Sequence, residues 1–175
     1  AVLAAALMGA SLAHAQVKVG VTVSSTGPAA SLGIPERNTA AMLPKEIAGQ
    51  KVEYVVLDDA TDTTQAVRNM RKLVTEDKVD IVFGTSATPG SLAMIDVAGD
   101  EKVPMITVAA NARLVQPVEG NRTWVFKTPQ NDSLMATAVV ETMVKDKVKT
   151  VGFIGFADAY GQGWLEEFSA AAKKQ

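Results

Sequence analysis

The sequence predicts an α/β fold, with an open parallel sheet, helices on both faces and the start of a second, similar lobe. Short apolar segments alternate along the chain with segments of helical periodicity. The apolar segments are nearly continuous, which is typical of parallel strands that are covered on both faces. Helices between such strands indicate right-handed βαβ units.

The first predicted strand is Val17–Val23, a β-branched run that is followed by a loop rich in Ser, Gly and Pro. Pro35 suits the first turn of the next helix, and Pro44 is expected to bend or end that helix. The second predicted strand is Val52–Leu57. These three segments form the first predicted βαβ unit.

The second predicted helix begins at Asp62, which can cap it together with Gln65 three residues later. Its apolar stripe comprises Ala66, Val67, Met70, Leu73 and Val74. Val79–Phe83 is the third predicted strand. Thr88 before Pro89 then predicts an N-cap and a first helical residue. The inward face of that third helix carries Leu92, Ile95 and Ala98.

The pattern breaks after the fourth predicted strand, Met105–Val108. Residues 109–131 contain a short apolar run at Trp124–Phe126, and the alternation then restarts with a helix, a strand and a final helix, namely Asp132–Lys145, Thr150–Phe156 and Tyr160–Gln175. We therefore predict a first lobe over residues 16–127 and the start of a second over residues 128–175. Because the last helix shows no Gly cap and no following strand, we expect a piece of a longer protein.

The first fifteen residues predict export from the cytoplasm. Ala1–Ala13 is uncharged and rich in Ala and Leu, and Ala13-His14-Ala15 fits the cleavage site of a secretory signal peptide. The run is shorter than the ~18–20 residues that span a bilayer. We interpret residues 1–15 as the remnant of a signal peptide and expect a periplasmic protein.

The composition of the remaining chain excludes several classes of site. His14 is the only histidine and the sequence has no cysteine, so residues 16–175 offer no disulfide, Cys/His zinc site, thiol nucleophile or His-based triad. A net charge of −2 and the lack of a long basic run argue against nucleic acid as a partner. We predict a protein that is not an enzyme and that uses no cofactor and no metal.

Small and hydroxyl-bearing residues follow the third and fourth predicted strands. The stretch from Phe83 to Asn111 contains both strand ends, but neither a nucleophile with its base nor a set of metal ligands. In an open parallel sheet, ligands bind in the crevice beyond the carboxyl ends of the strands. The stretch therefore indicates a site for a small polar molecule.

Thr85, Ser86, Ala87 and Thr88 lie where the third strand ends and a helix begins. A ligand carboxylate can accept hydrogen bonds there from a hydroxyl and from first-turn N–H groups, and the helix dipole favours its negative charge. The alternative is that these residues only cap the helix. For Thr88 we favour this alternative.

Asp58 and Asp59 are adjacent carboxylates of the kind that serve acid–base chemistry or bind a metal. They end a strand and precede Asp62 at a helix start, so capping and turn formation explain them. The glycines between residues 155 and 163 do not form a G-x-G-x-x-G motif, and a dinucleotide site is unsupported.

Seven motifs follow one another along residues 16–175. They are Val17-Lys-Val-Gly-Val, Thr26-Gly27-Pro28-Ala-Ala-Ser-Leu-Gly33, Val56-Leu-Asp-Asp59, Phe83-Gly-Thr-Ser-Ala-Thr-Pro-Gly-Ser, Val103-Pro104-Met-Ile-Thr-Val-Ala-Ala110, Phe126-Lys-Thr and Asp158-Ala-Tyr-Gly-Gln-Gly163. Their order and spacing resemble the amino-terminal half of a type I periplasmic binding protein of the branched-chain amino-acid-binding group. The resemblance implies a bilobed receptor that binds ligand in the cleft and closes by a hinge. It also implies an ABC permease in the inner membrane as partner, and a monomer when full length.

The resemblance assigns ligand contacts at both strand ends. It implies that Ser86 binds a ligand carboxylate, with the register open by one residue to Thr85 or Ala87. It also implies that the Ala109 carbonyl and the side chain two residues later accept bonds from a ligand ammonium group. Asn111 stands at that position, where Thr is common, and its side-chain oxygen can accept such a bond. A turn-stabilising Asn is the alternative.

Ala110, Tyr160 and Leu32 complete the predicted site. Ala110 lies within the loop that follows the fourth strand. The resemblance implies that Tyr160 closes over the ligand from the second lobe, and an aromatic packed at a helix start is the alternative. Leu32 stands where the family often has a larger side chain, so it either widens the pocket or belongs to the core.

These observations predict a periplasmic receptor of an ABC importer that binds a branched-chain or similar amino acid. A receptor of the same type for an aromatic or other small carboxylate is the first alternative. Asn111 leaves the ammonium contact open, and the acidic partner of an amino group is expected beyond Gln175. A ligand-sensing domain on the same fold is the second alternative. An exported α/β enzyme is the third, and the missing His and Cys disfavour it.

Overall fold

The computed structural model describes residues 16–175, and the predicted signal peptide at residues 1–15 lies outside the described residues. The strands and α-helices of the described range are Val17–Val23 (β1), Ala30–Met42 (α1), Glu46–Ile47 (β2), Gln50–Asp58 (β3), Thr63–Arg71 (α2), Ile81–Phe83 (β4), Thr88–Glu101 (α3), Met105–Thr107 (β5), Val125–Lys127 (β6), Asp132–Lys145 (α4) and Ala159–Ala172 (α5). A π-helical turn at Lys72–Glu76 extends α2, and 3₁₀-helices cover Ala112–Leu114 and Gly120–Trp124. None of the helices in residues 16–175 has the length and apolar character to cross a membrane.

The strands form one sheet in the order β2-β3-β1-β4-β5-β6. All neighbours are parallel except β2, which pairs antiparallel with β3 at one edge. At the centre, Val21 lies opposite Val56 of β3 on one side and Phe83 of β4 on the other. The chain passes from β1 to β3 and then crosses to β4, so the strand order reverses between β1 and β4. Such a switch point leaves a crevice for ligands beyond the carboxyl ends of the strands.

Helices cover both faces of the sheet. Successive side chains of a strand point to opposite faces, and Val19, Val21 and Val23 of β1 are buried with Ala40 of α1 on one face. On the other face, Gly20 lies against Leu73 and the sheet packs on α2 and α3, which form the larger core. This arrangement confirms the predicted α/β fold class.

Several predicted elements are confirmed closely. β1 and α4 have the predicted bounds, α1 ends at Met42 just before Pro44, and Asp62 caps α2 by accepting from the Gln65 N–H at 2.7 Å. The short strand β6 was not predicted as a strand, because three residues are too few to show a periodicity. It pairs in parallel with β5, where Ile106 lies opposite Phe126.

The starts of two predicted helices are wrong. α1 begins at Ala30, whose N–H donates to the Gly27 carbonyl oxygen at 3.1 Å, so Pro35 lies inside the helix rather than in its first turn. In α3 the N-cap position belongs to Ala87, and Thr88 is the first helical residue instead of the cap. These helices begin where the backbone conformation allows it, at the turn after Gly27 and after the extended backbone of Ala87. The positions of the two prolines do not set the helix starts.

The predicted strand Thr150–Phe156 does not form. Ile154 within it is 98% exposed, and no strand of residues 16–175 pairs with this segment. A strand needs a neighbour that satisfies its backbone groups, so apolar composition alone was insufficient here. On either side of the segment, α4 and α5 pack against each other through Ala136, Val140 and Ala171. The division of the chain into lobes near residue 127 stays a prediction.

Candidate ligand-binding site

A cavity of about 460 Å³ lies beyond the carboxyl ends of β4 and β5. Its walls come from the start of α1, the N-terminus of α3, the residues after β5 and the start of α5. Six of the eight predicted site residues line it together, namely Leu32, Ser86, Ala87, Ala109, Ala110 and Tyr160. A larger open groove of about 660 Å³ beside α3 is lined by none of the predicted site residues. We place the site at the strand ends because polar groups and the sheet switch point converge there.

The N-terminus of α3 opens onto this cavity without a side-chain cap. Ala87 at the N-cap position offers no acceptor to the first-turn N–H groups, and Pro89 lines the cavity beside it. Thr88 also lines the cavity and is only 2% exposed, yet its Oγ1 has no hydrogen-bond partner among the described residues. A buried hydroxyl is normally satisfied. An anion in the cavity would satisfy it and would interact favourably with the helix dipole.

Ser86 connects two strand ends at the switch point. Its Oγ accepts a hydrogen bond from the N–H of Ser24, which follows β1, at 2.9 Å. The same hydroxyl donates to the carboxylate of Glu36 in α1. Glu36 is half-buried, and burial raises its pKa; the Ser86 hydrogen bond opposes this and the charge of Asp59 adds to it, so the pKa lies above its ordinary value. Sequence reasoning missed Glu36 because it looks like any glutamate on a helix surface.

The Thr85 hydroxyl does not face the cavity. It donates to the carboxylate of Asp59, which is 1% exposed. Asp59 also accepts from the Ser24 hydroxyl at 2.6 Å and from the Thr61 N–H at 3.0 Å. The carboxylate therefore joins the ends of β1, β3 and β4, which confirms the predicted structural role of Asp59. This bond engages the hydroxyl donor of Thr85, and a place for Thr85 in the ligand site stays a prediction.

Asp58 stabilises the neighbouring turn in the predicted way. Its carboxylate accepts from the Thr26 hydroxyl at 2.6 Å, from the Thr26 N–H at 3.2 Å and from the Ala60 N–H at 2.9 Å. Burial alone would raise the pKa of Asp58, but these hydrogen bonds outweigh it and lower the pKa. The described residues contain no group of three acidic or other ligating side chains that could hold a metal ion.

A glycine after β4 allows this arrangement. Gly84 has φ of 127°, and a Cβ there would lie 1.9 Å from the Thr22 carbonyl oxygen. Any other residue would push the backbone away from β1. The close approach brings Thr85 within reach of Asp59, and Ser86 within reach of Ser24.

Asn111 faces the second predicted lobe instead of the cavity. It is 1% exposed, its Oδ1 accepts from the Arg113 N–H at 2.9 Å, and its Nδ2 donates to the Ala159 carbonyl oxygen at 3.4 Å. A Cβ on Gly163 would lie 2.1 Å from that Nδ2. The side chain thus stabilises the turn that begins the 3₁₀-helix Ala112–Leu114. It is not among the residues that line the cavity, and its contact with a ligand ammonium group stays a prediction.

The two alanines after β5 line the cavity, and their backbone holds the loop in place. The Ala109 N–H donates to the Thr107 hydroxyl at 3.1 Å, which holds the loop against the end of its strand. The Ala110 carbonyl accepts from Lys127 Nζ at 2.9 Å, and the same ammonium donates to the Pro129 carbonyl at 3.1 Å. Burial lowers the pKa of Lys127, although the charge of nearby Asp132 opposes the shift.

Leu32 and Tyr160 form apolar parts of the wall from opposite sides. Leu32 is 54% exposed, so it belongs to the mouth of the cavity and the alternative placement in the core is wrong. Tyr160 lies in the first turn of α5, where Asp158 accepts from its N–H at 2.9 Å. Its ring centroid is 6.3 Å from that of Phe156, which also lines the cavity. The cavity thus has a polar end at α3 and an apolar end between these side chains.

The family comparison agrees with this geometry. The profile of the periplasmic binding protein family matches residues 16–175. The chain belongs to this family. Together with the Leu/Ile/Val-binding relatives, this match confirms the resemblance to type I binding proteins of the branched-chain amino-acid group that the seven motifs indicated.

Individual members of the family support the same assignment. A Leu/Ile/Val-binding protein homologue of Brucella melitensis is 32% identical over 180 residues, which cover 98% of this chain and 48% of the relative. An extracellular ligand-binding receptor from Rhodopseudomonas palustris superposes with a TM-score of 0.89 at 49% identity, over 91% of this chain and 44% of the other. A solute-binding protein of an ABC transporter from the same species, solved with 3,4-dihydroxybenzoic acid, has a TM-score of 0.82 at 25% identity over 91% and 44%. The chain spans about half the length of the curated relatives it matches.

Proposed function

We propose that the protein is a periplasmic solute-binding receptor of an ABC importer, and that it binds an amino acid or a related small carboxylate in the cavity at the strand ends. The observation that carries this proposal is the buried Thr88 hydroxyl, which has no partner among residues 16–175, at the uncapped N-terminus of α3. Such a site offers donors and a favourable dipole to an anion. It offers no paired acid and base, so the proposed role is binding without chemical change.

A branched-chain or similar amino acid is the first ligand class. The Brucella melitensis relative carries the name of a Leu/Ile/Val-binding protein homologue. In this arrangement the ligand carboxylate contacts Thr88 and the first turn of α3, and the ligand side chain lies towards Leu32 and Tyr160. Tyr160 closes over the ligand from the second lobe, and the Ala109 carbonyl is an acceptor for the ammonium group.

An aromatic carboxylate is the second ligand class, and one observation favours it. The oxygen of Asn111 is engaged by the Arg113 N–H and does not reach the cavity, so one expected acceptor for an ammonium group is absent from the wall. The related solute-binding protein solved with 3,4-dihydroxybenzoic acid is an example of such a ligand. The apolar end beside Phe156 and Tyr160 suits a ring equally well.

The cellular setting is part of the proposal. Residues 1–15 would be removed as a signal peptide, and the intact receptor would deliver its ligand to an inner-membrane permease as a monomer. The A-x-A pattern at Ala13-His14-Ala15 and membership of the periplasmic binding protein family support this setting.

Thermal unfolding and calorimetry of the intact encoded protein test the proposal. The panel comprises L-leucine, L-isoleucine, L-valine, benzoate and 3,4-dihydroxybenzoate. A true ligand at a hundred times its Kd stabilises the folded protein by about 2.7 kcal/mol. If none of the five ligands stabilises the protein, the proposal is refuted. A response to the two aromatic acids alone would assign the second ligand class.

A further inference from the structure

The hydroxyl of Ser86 has one hydrogen to donate and two lone pairs that accept. The hydrogen is donated to Glu36, and one lone pair accepts from the Ser24 N–H at 2.9 Å. One lone pair therefore remains, and Ser86 is among the residues that line the cavity. While Glu36 is ionised, Ser86 can accept a hydrogen bond from a ligand but has no hydrogen left for a ligand carboxylate.

A proton on Glu36 reverses the hydrogen bond between the two side chains. A neutral carboxylic acid has an O–H donor, so Glu36 can then donate to the remaining lone pair of Ser86. The Ser24 N–H and Glu36 together fill both lone pairs, and the Ser86 hydrogen is free to turn into the cavity. In this state every hydrogen-bonding position of the hydroxyl is used when a carboxylate binds.

We propose that Glu36 is a positioning residue that sets the direction of the Ser86 hydroxyl, and that a carboxylate ligand binds at Ser86 together with one proton, which Glu36 takes from solvent. The inference rests on the proposed function, because it requires a carboxylate ligand. The Ser86 hydroxyl would then be a second donor to the ligand, beside the Thr88 hydroxyl, and it would be available only when Glu36 is protonated.

The groups around Glu36 favour this uptake. Glu36 extends from α1 and meets Ser86, which follows β4, and the charge of Asp59, which follows β3. The ion pairs of the described chain do not include Glu36, so no cation holds it ionised. A ligand carboxylate would add a second negative charge to that of Asp59, and like charges favour the neutral form of Glu36.

The affinity for a carboxylate ligand is expected to depend on pH. Since the pKa of Glu36 would be higher in the complex than in the free protein, affinity rises as pH falls from the bound pKa to the free pKa. Above this interval the affinity is level. A single linked proton changes the dissociation constant by at most about tenfold per pH unit.

Calorimetry of the intact encoded protein measures the proton directly. L-leucine in one arm and benzoate in the other are titrated in buffers of different ionisation enthalpy, from neutral to mildly acidic pH. We expect up to one proton to be taken up per bound carboxylate within the interval. Glu36→Gln has no carboxyl group at this position to take up a proton, so we expect no uptake and a flat pH profile over this range.

Glu46→Gln is the matched control, because it makes the same chemical change at an exposed site in β2. It is expected to keep the wild-type proton uptake. Carboxylate binding without uptake in the wild type, or undiminished uptake in E36Q, overturns the inference and leaves the proposed function standing. Failure of all five ligands of the panel to bind overturns the proposed function and the inference with it. The wild-type titration decides the question even where E36Q fails to fold.

Discussion

Replacing Thr88 by Val removes one hydroxyl from the cavity wall and keeps the shape of the side chain. In the ligand-free protein this hydroxyl has no hydrogen-bond partner among the described residues, although it is almost completely buried. An unsatisfied buried group costs about 1–3 kcal/mol. We therefore expect the free energy of unfolding of Thr88→Val without ligand to stay level or to rise, by no more than that amount.

The affinity for ligand is expected to change in the opposite direction. A hydrogen bond from the Thr88 hydroxyl to a carboxylate is charge-assisted and contributes about 1.5–3 kcal/mol. Because about 1.4 kcal/mol corresponds to a factor of ten, the dissociation constant would rise about 10- to 150-fold. Calorimetry gives the affinity, and denaturant unfolding without ligand gives the stability.

Thr85→Val is the matched comparison, since it makes the same chemical change three residues earlier in the chain. Its hydroxyl donates to the buried carboxylate of Asp59, so we expect this variant to lose about 1.5–3 kcal/mol of stability. Wild-type affinity in Thr88→Val would refute the ligand role of Thr88. A clear loss of stability in Thr88→Val would show that the Thr88 hydroxyl caps α3 in solution, which would also contradict a ligand role for it.

Three further predictions concern the strand ends that hold the cavity wall. Asp59→Asn leaves its hydroxyl donors with a weaker acceptor and is expected to cost about 2–4 kcal/mol in denaturant unfolding; an unchanged midpoint would contradict this. Gly33→Ala would place a Cβ 2.1 Å from the Ser24 carbonyl oxygen, and this backbone clash outweighs the roughly 1 kcal/mol gained in helix propensity. Its melting temperature is expected to fall, whereas Gly152→Ala, which meets nothing within 4 Å, is expected to melt like the wild type. Asp58 has a lowered pKa, so its stabilising effect is present above its ordinary pKa of 3.8 and is lost as pH falls through the folded-state pKa. Urea unfolding across acidic pH is expected to show Asp58→Asn less stable than the wild type near neutrality, with the difference vanishing in acid; a constant difference would argue against the carboxylate.

The elements that the sequence predicted well carry their signal in adjacent residues. Val17–Val23 is a β-branched run with a turn-forming loop behind it, and Asp132–Lys145 has helical periodicity with an acidic first turn. Both have the bounds that were predicted. The apolar segment Thr150–Phe156 was predicted with the same reasoning and forms no strand. A strand forms only where another strand pairs with it, and the composition of the segment does not specify such a partner.

For the site, the sequence predicted where the residues lie but not where their side chains point. Strand-end composition located the rim where Ser86, Ala87 and Ala109 line the cavity. It could not tell that the Thr85 hydroxyl turns towards Asp59, or that Asn111 turns towards α5. These directions depend on acceptors that come from other parts of the chain.

The sequence by itself determined the class of fold and most of its strands and helices, and it predicted the end of the sheet at which a ligand would bind. Periodicity, turn residues and strand-end composition suffice for these properties, since each is a property of neighbouring residues. Only the tertiary structure decided which hydroxyls are free to serve a ligand. Ser86 meets Glu36 fifty residues away in the chain, and Thr88 meets no acceptor among residues 16–175. Folding brings such partners together. Whether a hydroxyl can bind a ligand therefore depends on its neighbours in the folded protein and not on its neighbours in the sequence.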